Sequence, residues 1–356
     1  MRRRKLLSLF LSLCLCLSLL PTAALAEDVQ PEPLTEVSVT FPAPQVGDNI
    51  KERLQEASIG GGLSLQTSAP VLWQGANEPV TQLPDGALYE AGKPYLLVFM
   101  LSSQSFLTPI EKVTCNGEPV ELFQGEDAQT AFNEAVDAYG GTYDACFALN
   151  AIMKDAEGEY GDTNILYLYA FVYIPKVVEV DTAADLRTAI ETGTDDIVKL
   201  TGDITIDARL DIARDVTVDL NGCVLRYDEA AAPDSIFRVA GGHTLTLTDS
   251  RPQAEHEDET LPAGGLITGG KGFAHDNGAG QSYTYFGGGV YVETGASFVL
   301  AGGTIYACGV QSGADSAYGG GICCMGGSVT VTGGAIRNCV LSANNGANGG
   351  GVYIYS

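Results

Sequence analysis

A segment between residues 271 and 286 concentrates aromatic and ionisable side chains. Its candidate ligand-binding residues are Phe273, His275, Asp276, Tyr283, Tyr285 and Phe286. Aromatic rings offer large, rigid apolar faces, and interspersed polar groups can orient a bound molecule, a combination that suits a glycan or a protein partner. The same rings could instead pack the segment onto the structure beneath it. The sequence leaves both interpretations open.

Patterns for catalysis or metal binding are weak elsewhere in the sequence. Four acidic residues cluster in an expected turn: Asp155, Glu157, Glu159 and Asp162. Their spacing and the missing terminal Glu depart from a calcium-binding EF-hand loop. No serine lies in a nucleophile-elbow motif, and no Cys-x-x-Cys pair suggests zinc. His243 is expected in a turn and His256 in a solvated acidic loop, so the sequence predicts no catalytic residue, metal site or cofactor.

The elements that would position the aromatic segment come from a repeat of about 30 residues that begins after residue 196. One set of equivalent segments is 264–267, 302–305 and 333–336, and a second is 287–290, 319–322 and 349–352. A third set places apolar pairs at equivalent positions: Leu245 and Leu247, Phe298 and Leu300, and Val329 and Val331. Each repeat thus predicts three short strands with glycines at the bends, because glycine adopts positive φ without a Cβ clash.

Stacked repeats would bury ladders of equivalent side chains, since one repeat cannot bury its apolar face alone. One predicted ladder contains Val290, Ile322 and Val352, and another contains Ile267, Ile305 and Ile336. The inserts after the second ladder's strands should come together on one edge of the stack. Collagen and the calcium-binding nonapeptide roll are excluded, because neither glycine pattern is present.

These repeats resemble known β-helix proteins. The sequence V-T-V-D-L-N-G at 216–222 resembles the first coils of right-handed parallel β-helix proteins of the pectin-lyase-like superfamily. The G-G-G-V-Y and G-G-T-I units resemble repeats of bacterial β-helix surface proteins, including the polymorphic outer-membrane type. The resemblance covers residues 181–356. Its enzymes use clustered carboxylates with a basic residue, but only Lys271 and Arg337 are basic after Arg251, and the Gly-Gly-His at 241–243 is a superficial match.

A helix and two cysteine patterns accompany the repeats. Thr182 and Asp185 form a capping-box variant, and the predicted helix would end at Gly193 and cover the open edge of the first coil. Cys308 and Cys339 occupy equivalent positions, where we favour stacked thiols over a disulfide. Cys323 should face outward, in register with Tyr291 and Tyr353.

The region before the repeats shows β patterning. Val37, Val39 and Phe41 alternate with polar residues. Apolar strands are predicted at 95–101 and 165–174, the latter pairing with 146–153 across a turn at 155–164, and Trp73 is expected in the core. The sequences at 44–48, 89–95 and 113–117 resemble a module recurrent in secreted proteins of Gram-positive bacteria, for which no catalytic residues are implied. An antiparallel β-sandwich is the expected fold.

The N-terminus predicts export. Four basic residues from Arg2 to Lys5 precede an apolar stretch, and Ala24 and Ala26 offer a signal-peptidase site, with cleavage after Ala26. The predicted organisation has four parts: a signal peptide at 1–26, a linker at 27–34, a β-sandwich-like module at 35–176 and an incomplete right-handed parallel β-helix at 177–356. The expected class is therefore all-β with one capping helix.

Charge and export together define the expected function. The formal net charge is −25, and loss of the basic signal peptide makes it more negative, which argues against a nucleic-acid partner. We expect a secreted, cell-wall-associated, non-enzymatic adhesin that binds a polysaccharide or a host or bacterial surface protein, with peptidoglycan attachment through a missing C-terminal region. The alternative is a secreted polysaccharide lyase or glycoside hydrolase with its active coils beyond residue 356.

Overall fold

The computed structural model describes residues 35–61, 63–72, 81–102, 110–124, 127–138, 145–154, 160–276 and 283–356. The predictions for the signal peptide, the linker, Trp73 and the acidic turn at 155–159 lie outside these residues. The chain divides after Ile174 into unit 1 and unit 2, the latter spanning Pro175–Ser356. None of the described helices is long and apolar enough to cross a membrane.

Within its described residues, unit 1 combines two sheets with two helices. Its strands are β1 (Glu36–Thr40), β2 (Ser58–Gly60), β3 (Ser64–Leu72), β4 (Thr81–Gln82), β5 (Pro94–Ser102), β6 (Lys112–Cys115), β7 (Glu118–Pro119), β8 (Glu121–Phe123), β9 (Cys146–Lys154) and β10 (Tyr160–Tyr173). Its helices are α1 (Ile50–Gln55) and α2 (Ala128–Ala138). One sheet has the order β2-β1-β6-β7, and the other has the order β4-β3-β5-β10-β9-β8.

The six-stranded sheet is buried on both faces. On one face, Phe99 of β5 belongs to the same core as Val39 of β1, which is a strand of the four-stranded sheet. On the opposite face, Phe132 and Val136 of α2 pack against the sheet. Because both faces of β5 are covered, its sequence is a near-continuous apolar run rather than an alternating one.

Several predictions for unit 1 need correction. The pairing of β9 with β10 is antiparallel as predicted, but β10 begins at Tyr160, inside the expected turn. The sheets are not purely antiparallel, because β1 pairs with β6 and β8 pairs with β9 in parallel. Helices α1 and α2 have no counterpart among the predicted elements. Unit 1 is therefore predominantly β, with a helix covering one sheet face, rather than all-β.

The described part of unit 2 is built from short strands and one helix. The helix is α3 (Ala183–Glu191). Its strands are β11 (Val177–Val180), β12 (Ile197–Leu200), β13 (Ile204–Ile206), β14 (Leu210–Ile212), β15 (Val216–Asp219), β16 (Val224–Tyr227), β17 (Phe237–Val239), β18 (Thr244–Thr248), β19 (Leu266–Thr268), β20 (Phe273–Asp276), β21 (Tyr283–Phe286), β22 (Val290–Val292), β23 (Ser297–Leu300), β24 (Thr304–Tyr306), β25 (Gly309–Tyr318), β26 (Ile322–Met325), β27 (Ser328–Val331), β28 (Ala335–Arg337), β29 (Val340–Asn348) and β30 (Val352–Tyr355).

Sixteen of these strands form three parallel sheets, which the chain enters one after another in a repeating order. Sheet I has the order β11-β12-β15-β18-β23-β27, sheet II has β13-β16-β19-β24-β28, and sheet III has β14-β17-β22-β26-β30. Each passage of the chain through sheets I, II and III forms one coil. This topology is compatible with a β-helix-like fold. Once the coils have begun, neighbouring strands within sheets I, II and III belong to successive coils.

The predicted ladders are confirmed by the strand registers. Val290 pairs with Ile322 and Ile322 with Val352 in sheet III. Ile267 pairs with Ile305 and Ile305 with Ile336 in sheet II. The first members of each ladder are fully buried, whereas Val352 is 38% exposed because β30 is the last strand of its sheet.

Helix α3 packs against the first coil. The Thr182 side chain accepts a hydrogen bond from the Asp185 N–H, as the capping pattern predicts. Leu186 and Ile190 are fully buried in the core that the coil strands share. Arg187 donates to the carbonyl oxygens of Ala208 and Arg209, both at 2.9 Å, so the helix also binds backbone acceptors in the turn between β13 and β14.

Candidate functional site

The inserts form a fourth sheet beside the coils. Strand β20 pairs with β21 in antiparallel fashion, and β21, β25 and β29 then pair in parallel, giving the insert sheet β20-β21-β25-β29. Each of β21, β25 and β29 ends directly before a bend glycine: Gly287, Gly319 and Gly349. Because equivalent bends stack, the inserts come together on one edge of unit 2, as the repeat pattern predicts.

Five aromatic rings form a continuous surface where the insert sheet meets sheet III. We call this surface the aromatic strip, and its residues are Phe273, Phe286, Tyr291, Tyr318 and Tyr353. Phe286 and Tyr318 pair across β21 and β25, and their rings stack 5.7 Å apart at an angle of 17°. All five side chains are half-buried, so each ring keeps part of its surface in water. The strip therefore consists of rings that pack against one another and keep part of their surface accessible.

The second row of the strip comes from sheet III. Tyr291, Cys323 and Tyr353 are successive members of one outward ladder, in the predicted register. The Phe273 ring lies 4.6 Å from that of Tyr291, and the Tyr318 ring lies 4.8 Å from that of Tyr353. Cys323 faces away from the interior ladder but is fully buried. Burial raises the pKa of its thiol to about 12, which makes it a poor nucleophile.

A set of paired charges borders one end of the strip. The Arg209 guanidinium lies 5.9 Å from the centre of the Phe273 ring and donates to Asp211 at 2.9 Å and Asp234 at 3.0 Å. Arg238 pairs with Glu293, with its Nε 2.7 Å from the carboxylate. Burial lowers the pKa of Arg209, but the carboxylates of Asp234 and Asp211 more than offset this, so its pKa is raised. The strip thus ends beside fixed positive and negative groups.

The structure separates the predicted ligand-binding residues. Phe273 and Phe286 belong to the aromatic strip, and the exposed His275 ring lies 6.5 Å from that of Phe286. Tyr285 instead packs against the small cluster of Val310 and Ala317. Asp276 and Tyr283 pair with each other at the far ends of β20 and β21, and their side chains lie outside the described residues. The packing interpretation holds for Phe273 and Phe286, whose rings contact Tyr291, and ligand binding by these residues stays a prediction.

Four members of the site were missed in the sequence. Tyr291 and Tyr353 occupy the last position of the G-G-G-V-Y unit, and Tyr318, like Phe286, directly precedes the glycine triplet. This recurrence of aromatic residues around the triplets was a usable signal. No sequence signal marked Arg209, because it lies in an earlier coil and comes close to the strip only when the coils stack.

The isolated histidines have structural roles. The His243 N–H donates to the Ala240 carbonyl at 3.2 Å and closes a turn, as predicted. His256 was predicted to be solvated, but it is half-buried and its Nε2 lies 2.8 Å from the Gly264 carbonyl oxygen, so it braces the loop before β19. Within the described residues, no group of three or more His, Cys, Asp or Glu could hold a metal ion.

Comparisons with known proteins add no assignment. The chain matches no family model, no curated protein and no solved structure.

Proposed function

We propose that unit 2 is a right-handed parallel β-helix whose inserts carry a binding surface. The rotation of the chain through sheets I, II and III supports this proposal, as does the uniform parallel register between coils. Unit 1 serves as a β-sandwich-like module that precedes it. In this architecture the interior is filled by aliphatic ladders, so a partner must bind on the outer faces or the inserts.

We infer that the protein is exported, associates with the cell wall and binds a polysaccharide without chemically altering it. The observation that carries this function is the aromatic strip, which extends across the successive coil strands β22, β26 and β30. Partly exposed aromatic faces can stack on the apolar faces of sugar rings. The charged groups of Arg209, Asp211, Arg238 and Glu293 can exchange hydrogen bonds with sugar hydroxyls at the end of the strip.

Glycan-array binding by the purified protein tests this function. We expect Phe286→Ala and Tyr318→Ala each to weaken binding to the selected polysaccharide at least tenfold, equivalent to about 1.4 kcal/mol. Tyr306→Ala is the matched control, because Tyr306 is a half-buried outward tyrosine in sheet II rather than in the strip. Circular dichroism should show that all three variants remain folded.

Two outcomes contradict the proposal. The first is unchanged affinity in both strip variants, and the second is equal loss in the Tyr306 control. Point substitutions test the aromatic strip more specifically than replacing residues 272–285 with a Gly-Ser linker does. Because Phe273 contacts Tyr291, removal of the segment would also uncover part of sheet III.

A further inference from the structure

Two cysteines of unit 1 approach each other across its two sheets. Cys115 is the last residue of β6 in the four-stranded sheet, and Cys146 is the first residue of β9 in the six-stranded sheet. Their Sγ atoms lie only 2.8 Å apart. The two residues are 31 positions apart in the chain, so this contact joins distant segments.

This separation is unlike that of the other described thiols. The Sγ atoms of Cys223, Cys308 and Cys339 each lie 3.5–3.9 Å from backbone carbonyl oxygens, as weak thiol donors do. Uncharged heavy atoms such as carbon pack best at about 3.5–4.0 Å. Two sulfur atoms at 2.8 Å are closer than the lower end of that range, so a pair of thiols here is compressed and a covalent bond would relieve the compression.

We propose that Cys115 and Cys146 form a disulfide that links the two sheets of unit 1. In the reaction, Cys146 attacks a small-molecule or protein disulfide and releases one thiol, and Cys115 then attacks the mixed disulfide and releases the second. The two cysteines together lose two protons and two electrons, one sulfur–sulfur bond forms, and the oxidant is reduced to two thiols. The bond closes the segment between β6 and β9, which includes α2.

The surroundings of the pair favour a structural role over a catalytic one. Hydrogen bonding to Cys146 and burial both raise the pKa of Cys115, so its thiolate is rare at neutral pH. Cys115 is 3% exposed, whereas Cys146 is half-buried. Both border a cleft of about 490 Å³ between Phe41, Pro119 and Phe171, which gives an oxidant access to Cys146. Oxidation is therefore slow without an exchange partner, and the resulting bond is shielded.

In the cell this inference rests on the proposed export, because disulfides persist in oxidising compartments. The purified full chain in a glutathione redox buffer removes that dependence. Cys115 and Cys146 lie on one tryptic peptide, 113–154, which contains no internal Lys or Arg. After alkylation under denaturing conditions, we expect this peptide to be unalkylated and two hydrogens lighter than its reduced form. Cleavage after Glu121 and Glu134 should yield two peptides joined by a reducible bond.

The control cysteines are Cys308 and Cys339, which should be alkylated as thiols in the same sample. A chain that is native by circular dichroism and alkylated at both Cys115 and Cys146 in oxidising buffer would overturn the proposal. Failure of export in the cell, with the bond formed in the purified chain, would contradict the localisation instead.

Thermal unfolding gives an independent measurement. We expect reductant to lower the Tm of the oxidised wild-type chain by about 10 °C, since the bond closes a loop in the unfolded chain. The same reductant should leave the Tm of the Cys115→Ala/Cys146→Ala variant unchanged. Equal Tm values for the wild type with and without reductant would overturn the proposal even if the variant does not fold.

Discussion

Each ladder strand of unit 2 has one face toward the apolar interior and the opposite face toward the outside. Ile305 is fully buried between Ile267 and Ile336, in the middle of a stack of aliphatic side chains. Its neighbour Tyr306 faces the opposite way and is half-buried, with Thr268 and Arg337 as its lateral partners. Adjacent residues in β24 should therefore respond very differently to the same substitution.

Ile305→Asp is expected to lower the free energy of unfolding by at least about 4 kcal/mol, because it places an unpaired carboxylate in an apolar ladder. Tyr306→Asp should cost less than about 1 kcal/mol, since the new carboxylate faces solvent beside Arg337. Urea unfolding of both variants measures the difference. Comparable losses would show that the inward and outward faces of β24 are misassigned.

Residues of the ladders were predictable because the repeats align without gaps and glycine marks each bend. The burial of Cys323 was not, since the alternation of side chains along β26 places it on the outward face, opposite the interior ladder. The contact of His256 with Gly264 was missed for a similar reason. It forms within an irregular loop, where neither a strand nor a helix period constrains the path of the chain.

Among the elements, the helices of unit 1 were the main failure of sequence reasoning. Helix α1 has the same start signal as α3, because the Asn49 side chain accepts from the Glu52 N–H, and Ile50 and Leu54 are buried on one face. It spans only six residues, so its apolar residues recur over too few helical turns to be recognised among segments with β patterning. The apolar positions of helix α2 can be interpreted only together with the sheet face that they cover.

Strand stacking in unit 2 requires close backbone approach at the bend glycines. A Cβ added at Gly289 would lie 2.7 Å from the Gly321 carbonyl oxygen and 2.8 Å from Cγ2 of Ile305. The first of these is backbone of the next coil and cannot rotate away. At Gly202, in contrast, the atom nearest to an added Cβ is the Cβ of Asp181, at 3.9 Å.

Gly289→Ala should therefore reduce the free energy of unfolding by about 2 kcal/mol, because it separates two coils or displaces a core side chain. Gly202→Ala should be neutral or stabilise by up to about 1 kcal/mol, since alanine restricts the unfolded chain and meets Asp181 only at ordinary van der Waals distance. Chemical denaturation of the two variants checks both values. A Gly289→Ala protein as stable as the wild type would show that the coils are less closely stacked than the structure indicates.

Across the whole molecule, buried tyrosines couple stability to alkaline pH in both units. Tyr89 and Tyr95 of unit 1 pack with their rings 5.0 Å apart, edge to face. In unit 2, the Tyr227 hydroxyl donates to the Ala232 carbonyl at 2.7 Å, and Tyr291 belongs to the aromatic strip. Burial is the largest cause that raises the pKa of each of these four phenols above its ordinary value.

A raised pKa means that the folded chain keeps these protons after the unfolded chain has lost them. The stabilisation is complete below the unfolded phenol pKa of about 10 and is lost as pH rises through the folded values. We expect the urea midpoint to fall steadily above about pH 10. The tyrosinate absorbance that Tyr89 contributes, measured as the difference between the wild type and Tyr89→Phe, should increase in step with unfolding rather than before it. Tyr89→Phe keeps the ring and removes one ionisable group, so its urea midpoint should depend less steeply on pH. If the four phenols ionise while the chain stays folded, or if Tyr89→Phe shows the wild-type pH dependence, the coupling is contradicted.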